Sequence, residues 1–562
     1  MDHLRIYIET AFYQSVEHLI NGTDKSDYSE LSESQFMSSA RKCAERLSDD
    51  ALRLIYSLDE ENWENQTKRE KIIVNGHDLP KSSKIFLSIL KFANQILTTD
   101  GEAYKVKFEY LFKWRDITRL IGEDLIIVSR MAMGDAYSFF GSKGIGYKLT
   151  YPSSLRNDDP DIKALIETGN LHELHCHLNA TANIFNINWA CLMNYPQKRL
   201  NVIGDVIRKK DGEIDKLRLH RIHELLIHAA WFRFTAYQYL KGEIDREKVK
   251  LPFEGLKGIT TENDAQELRN DIQAYSIIQG FGVNGFGRDI LETSPSIDKL
   301  NNILPDYIFP PNIRKDCQGD FRIYLGERYF LYLSMLHILR KEDRPFVGAF
   351  RYYLLVKGLF RREMIQLNKN HGFANFKRYQ DVKSMFLRGY PAYQRMLSSL
   401  AVGDAWRDSN IAYQEVRIAP EKKLRKGKQV IEDIHHSIDS ELEIMNQSPE
   451  FVRRPEIGII YHFIKLKEKP SIKSNINVSN LSTTPRNHNI RKDLRKQSYI
   501  IRTLFKKRKY KIKGIDAASS EFNCRPEVFG QAFRFLKSSG LKATFHAGED
   551  FYDISDGLRA ID

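Results

Sequence analysis

Glu173-Leu174-His175-Cys176-His177-Leu178-Asn179 is the segment from which the architecture of this chain is read. It has the character of a β-strand nearing its end. Side chains two apart on a strand share a face, so Glu173, His175 and His177 are expected to point one way while Leu174, Cys176 and Leu178 pack the other. Two imidazoles about 7 Å apart along a strand can converge on one metal ion if a third ligand arrives from elsewhere. An isolated HxH is equally compatible with packed histidines. Further strand-like runs follow at Ile411 to Ile418, Glu456 to Ile464, Tyr510 to Ala517 and Leu541 to His546. Helical stretches separate them, among them Val430 to Met445 and Pro526 to Ser538. Strands alternating with helices imply parallel βα units. The expected fold class is therefore α/β, with a core begun near residue 170, interrupted by a helical insertion and resumed near 403.

A second cluster of reactive side chains lies in Thr544-Phe545-His546-Ala547-Gly548-Glu549-Asp550. His546 can supply the third metal nitrogen, and Gly548 allows a tight turn close to a ligand. Glu549 would face the same cavity, where burial raises a carboxyl pKa and suits it to proton donation near neutral pH. An ordinary strand-end turn is the competing reading. In Tyr413-Gln414-Glu415-Val416-Arg417-Ile418-Ala419-Pro420, residues Tyr413, Glu415 and Arg417 share a strand face. Glu415 and Arg417 are read as a structural ion pair bracing the floor of the site.

Taken together, ELHCHLNA at 173–180, YQEVRIAP at 413–420, GIDAASSE at 514–521 and HAGED at 546–550 resemble, in order, the strand-end motifs of the adenosine/AMP deaminase family of metal-dependent amidohydrolases. The likeness covers roughly 165–200 and 403–562. It implies a (β/α)₈ barrel with its site at the C-terminal ends of the strands. It also implies one Zn²⁺ per subunit held by His175, His177 and His546. A hydroxide would add to C6 of an adenine ring, with Glu549 protonating the ring nitrogen and ammonia leaving. The implied substrates are adenosine or an adenine nucleotide, ATP and dATP included. Asn179 stands where the family commonly has Asp near the ribose, Ala180 where it has Gly, and Ser519 where a Gly lies against the base. These departures keep another amidohydrolase, or a non-catalytic nucleotide-binding scaffold, in view. About five of eight strands precede Asp562, so the expectation is a C-terminally truncated barrel that by itself binds metal poorly and does not turn over.

Residues 1–165 read as a mostly helical N-terminal region, 166–200 as the first barrel strand with its metal motif, and 201–402 as a helical insertion. Residues 403–562 read as the remaining βα units. Within the helical regions, Ser34 to Leu58, Ile85 to Leu97, Tyr110 to Ile126, Leu217 to Leu240, Arg322 to Leu339 and Phe350 to Ile365 carry helical spacing. Aromatic stripes such as Tyr329, Phe330 and Tyr332 are read as core. A minimal barrel does not need these regions, so they are assigned to homo-oligomerisation or to docking of a partner such as an ATPase. In this respect the chain is similar to the deaminase component of bacterial RADAR antiphage systems.

Charge is unevenly spread. The 562 residues carry a formal +13, yet 465–513 alone holds 16 Lys/Arg against Glu468 and Asp493. The remainder of the chain is thus close to neutral. This basic loop, with Lys506, Lys507, Arg508 and Lys509 at its densest point, is read as a solvated insertion with a basic helix or as a patch steering phosphorylated substrates or nucleic acid towards the site. Five scattered cysteines without a CxxC exclude a zinc ribbon or disulfide framework and fit a reducing, cytoplasmic setting. No apolar run approaches the roughly 18 residues of a membrane span, and no basic-then-apolar leader opens the chain. His223-Glu224 with His228 has one residue too many for HExxH, placing its imidazoles about 140° apart on a helix. With His220, these are read as surface or core histidines. Gly280, Gly282 and Gly285 match GxGxxG without a βαβ context and are read as a turn.

Overall fold

The computed structural model describes residues 2–13, 29–44, 46–57, 84–100, 103–137, 156–168, 170–178, 184–194, 202–206, 216–242, 324–364, 385–387, 400–403, 411–446, 455–466 and 487–548, together with 245, 247, 306, 308, 393, 397, 406 and 558. Its helices are α1 (Asp2–Tyr13), α2 (Glu33–Cys43), α3 (Lys84–Ile96), α4 (Leu111–Ile121), α5 (Glu123–Tyr137), α6 (Pro160–Glu167), α7 (Ile184–Asn194), α8 (Lys216–Leu240), α9 (Tyr324–Arg340), α10 (Arg344–Met364), α11 (Leu424–Asn446), α12 (His488–Phe505) and α13 (Gly530–Lys537). Its strands are β1 (Leu97–Asp100), β2 (Ala103–Val106), β3 (Arg156–Asn157), β4 (Leu171–His177), β5 (Ile411–Ile418), β6 (Glu456–Ile464), β7 (Ile512–Ala518) and β8 (Lys542–Ala543). Among the described residues, no helix is long and apolar enough to cross a membrane.

The chain divides into two compact units, 1–162 with 185–367 and 382–394, and 163–184 with 368–381 and 395–562. The first is helical. Its core is one continuous cluster to which the N-terminal region and the insertion both contribute, among others through Ile8, Phe36, Phe86, Trp189, Phe232 and Phe350. Phe86 of α3 stacks on Phe350 of α10 at 5.4 Å between centroids. Helix α7, expected to accompany the first barrel strand, belongs to this unit. Every one of its residues is buried, and a helix apolar all round needs neighbours on every side. Trp189 there donates from Nε1 to the Tyr353 hydroxyl at 2.8 Å.

The N-terminal region is not purely helical. β1 and β2 pair antiparallel and β3 joins β2 in parallel, using the β-branched Thr98, Thr99 and Val106. The helix expected over Ser34 to Leu58 is split into α2 and a second helical stretch, 49–57. Ser32 opens α2 with a capping box, its Oγ accepting from Gln35 N while Gln35 Oε1 accepts from Ser32 N. Ser48 Oγ takes the Ala51 N–H and starts the next stretch. Similarly, the run Tyr110 to Ile126 breaks at Gly122, whose φ of +81° ends α4.

The second unit carries a five-stranded sheet in the order β4-β5-β6-β7-β8, every pair parallel. Each strand therefore lies beside the next in sequence. Alternation along β6 separates two faces. Phe463 meets Phe529 and Phe533 at 6.4 and 6.2 Å, so that face is roofed by α13 and its neighbours. His462 turns to the other face. The basic segment contains the helix that one reading of it expects: α12 is amphipathic and buries Ile490, Leu494, Ser498, Ile501 and Leu504. Residues 467–486 lie outside the described set.

Candidate metal centre

Strand β4 does not keep a simple alternation. Its pairing with β5 runs Glu173↔Gln414 and then Cys176↔Val416, so Leu174 and His175 together face a single partner position. Such a bulge bends the strand and re-aims side chains. The His175 N–H is taken by the Glu173 carboxylate at 2.6 Å. Cys176 stays buried, but Leu174, expected to pack beside it, is 51% exposed because the extra residue turns it out of the layer.

The bulge lets His175 and His177 meet. Their Nε2 atoms lie 2.9 Å apart, and His546 Nε2 lies 3.0 Å from His175 Nε2. The three ligand nitrogens are all within 4.8 Å of one another. His546 reaches this place because 542–546 follows β7. β8 is assigned only over two residues, yet Thr544 N donates to Ile515 O at 2.9 Å and His546 N to Ala517 O at 3.0 Å. These bonds carry the parallel ladder on to the histidine.

The tautomer at His546 is set by its neighbour. His546 Nδ1 sits 2.9 Å from Asp516 Oδ2, so Nδ1 carries the proton and Nε2 presents a lone pair to the other imidazoles. Burial pushes the Asp516 carboxyl up, but the His546 hydrogen bond and the charges of His546, Arg417 and His462 outweigh it and hold the group below its usual value. Burial, with Arg417 and His546 nearby, lowers His175. A lowered imidazole pKa favours the neutral form that a metal requires.

Arg417 ties the floor together. One of its terminal nitrogens lies 2.6 Å from Asp516 Oδ2 and 3.3 Å from Thr544 Oγ1, while the other donates to Leu174 O at 3.0 Å. The anticipated Glu415 partner is more distant, at 3.8 Å, and accepts from Tyr413 OH at 3.3 Å. The principal ion pair of Arg417 is thus with Asp516 on β7, which the spacing along β5 does not reveal.

Two more groups escape a motif reading. His462 is buried, its ring 5.1 Å from that of His177, and burial drives its pKa down to about 4. Its Nδ1 has no hydrogen-bond partner among the described residues. The signal was a polar residue inside the apolar run Ile459-Ile460-Tyr461-His462-Phe463-Ile464. Lys465, counted as part of the basic run, is buried instead. Its Nζ donates to His546 O at 2.6 Å, lies 3.7 Å from Glu521 and sits 4.7 Å from the Phe545 ring centre.

Other expected positions fall differently. Ser519 follows β7 with φ +87°, a conformation that glycine adopts without strain and serine does not. Asn179 and Glu549 lie outside the described residues, as do Gly280, Gly282 and Gly285. Lys506, Lys507, Arg508 and Lys509 are exposed at the end of α12 and the turn after it, on the helical layer and not at the imidazole cluster. His223 and His228 are buried in α8 and join no metal-binding group among the described residues. Burial lowers His228 to about 4 and raises Glu224 to about 8.

The donor set suits zinc. A tetrahedral ion with Zn–N of about 2.0–2.1 Å spaces its nitrogens about 3.3 Å apart, so 2.9 and 3.0 Å call for opening by a few tenths of an ångström. No protein-family model matches the chain, and no curated protein matches it.

Proposed function

We propose that this chain is a zinc-dependent hydrolase of the adenosine/AMP deaminase kind, converting adenosine or an adenine nucleotide to the inosine compound and ammonia. The observation that carries the reading is the meeting of His175, His177 and His546, drawn from stretches about 370 residues apart in the chain, on one face of a parallel sheet. The strand order supports a barrel wall. A doubly wound sheet reverses its order at a switch point, whereas here successive strands are neighbours throughout, as in a (β/α)₈ barrel.

When bound, zinc supplies the Lewis acidity that makes a hydroxide nucleophile available near neutral pH. His175, His177 and His546 would hold the ion, and Asp516 keeps the His546 lone pair turned inward. Arg417 fixes the Asp516 carboxylate and, through Leu174 O, the bulge that carries His175. Lys465 and Glu521 grip the backbone on either side of Ala547, since Glu521 Oε1 accepts from Gly548 N at 3.2 Å. That grip sets the start of the segment containing Glu549, which in this reading delivers a proton to the adenine ring nitrogen. Water adds at C6, the amino group departs as ammonia, and atoms balance without a further reactant.

The test pairs metal analysis with ammonia release. In a protein carrying all eight strands, the expected result is one zinc per chain, lost in His175→Ala and His546→Ala, with ammonia released from adenosine or ATP. Glu549→Gln should keep the metal and lose turnover. A chain that binds zinc yet releases ammonia only from other amides would move the reading to a different amidohydrolase. A protein with all eight strands that binds no zinc would end it.

A further inference from the structure

We propose that the solvent face of α12 is a docking surface for single-stranded nucleic acid. At about 100° per residue, Lys492, Arg495, Lys496, Tyr499, Lys506 and Lys507 fall on one side of the helix and its first residues beyond, and all six are exposed. The buried side chains Ile490, Leu494, Ser498, Ile501 and Leu504 occupy the opposite side. The stripe contains no acid. Asp493, the single acidic residue of 487–513, sits on the flank and is engaged by Lys422, just before α11. None of the five cations of the stripe forms a salt bridge within the described residues.

A solvated amphipathic helix usually mixes signs on its outer face to limit self-repulsion. Here the like charges form two groups, Lys492, Arg495 and Lys496 near one end and Lys506 and Lys507 at the other, with Tyr499 between them on a helix about 27 Å long. Such an array suits a flexible polyanion that places phosphates beside each group. Tyr499 selects among polyanions. It is 49% exposed in the middle of the stripe, and its ring is held from behind by Phe535 of α13 at 5.1 Å. Arg502 lies against that same Phe535 ring at 5.0 Å. A buttressed aromatic ring within a cationic track is the arrangement on which unpaired bases stack. Stacking of unpaired bases on that ring favours a single strand over an acidic protein segment or an anionic membrane surface. The surface lies on the helical layer, away from the imidazole cluster, so the proposal stands independently of the deaminase reading.

The test is fluorescence anisotropy of a labelled 20-nucleotide single strand, DNA and RNA in turn, against the full chain at several salt concentrations. Binding is expected to weaken with salt, with a log–log slope of about −3 for four or five contacted phosphates. Replacing Lys492, Lys496, Lys506 and Lys507 by Gln together is expected to weaken binding at least 100-fold at low salt. Tyr499→Ala is expected to cost roughly tenfold, with circular dichroism checking that each variant stays folded. Absence of binding at low salt, or a quadruple variant that binds like the parent, would overturn the proposal. So would equal affinity for duplex together with indifference to Tyr499→Ala, which would reduce the face to unspecific polyelectrolyte attraction.

Discussion

Asp516 Oδ2 is shared between two cationic or proton-bearing partners: His546 Nδ1 at 2.9 Å and the Arg417 guanidinium at 2.6 Å. One buried carboxylate therefore both orients a candidate metal ligand and neutralises the arginine that spans the sheet floor. The two duties can be separated experimentally.

Asp516→Asn keeps an acceptor for the His546 N–H but removes the charge facing Arg417. Loss of a supporting carboxylate of this kind weakens metal binding by about 10–100-fold. Zinc titration against a chromophoric chelator should show that loss, with the stoichiometry still one per chain. Unchanged affinity would mean that Asp516 serves the fold alone.

In the helical unit, Arg233 is fully buried between Asp306, at 2.7 and 3.1 Å, and Glu327 at 2.8 Å. Lys357 and Tyr353 complete the Glu327 environment. Arg233→Met strands Asp306 without a counter-charge and is expected to cost about 3–5 kcal/mol in urea denaturation. A second change, Asp306→Asn, should recover part of that loss, because the stranded charge then disappears.

Stability should bend with pH around α8. Glu224, raised by burial to about 8 from an ordinary 4.5, favours folding in its protonated form. Its contribution is complete below about pH 4.5 and declines as pH rises to about 8, amounting to about 3 kcal/mol lost at pH 7. His228, lowered to about 4 from 6.5, acts in the opposite sense: its contribution is present above 6.5 and lost as pH falls towards 4. Urea melts at pH 5 and pH 8 should show Glu224→Gln gaining on the parent chiefly at the higher pH. Parallel pH profiles for the two would refute the assignment.

Gly122→Ala tests the break between α4 and α5. A side chain at φ +81° is strained, and a Cβ there would lie 2.5 Å from an Arg361 terminal nitrogen. A loss of about 1–2 kcal/mol is expected in thermal or urea unfolding. Arg361→Ala in the same background should relieve only the contact and leave the backbone strain.

Much of this arrangement is legible in the chain because it is local. Chain pattern and flanking signals mark β5 and β6 to the residue, and long runs rich in apolar and aromatic residues mark α8 through α10. His175, His177 and His546 declare themselves by residue type. What escapes is whatever depends on a neighbour distant in sequence. The bulge at Leu174 and His175 arises from pairing with β5 and has no signature in β4. Arg417 was matched to Glu415, two residues away, when its shorter contact is with Asp516, 99 positions on. Lys465 looked like one more charge in a basic run until the end of β6 placed it under His546.

Residue order by itself therefore determined the element types of the parallel sheet unit, though not β1 to β3, together with the α/β character and the imidazoles able to bind an ion, since these follow from backbone stereochemistry and side-chain chemistry over a few residues. Tertiary structure alone decided that the two helical regions share one core, that a buried aspartate orients His546, and that the densest charge lies on the helical layer. Those outcomes depend on register between strands and on which faces find apolar partners, and both are settled only when segments hundreds of residues apart pack together.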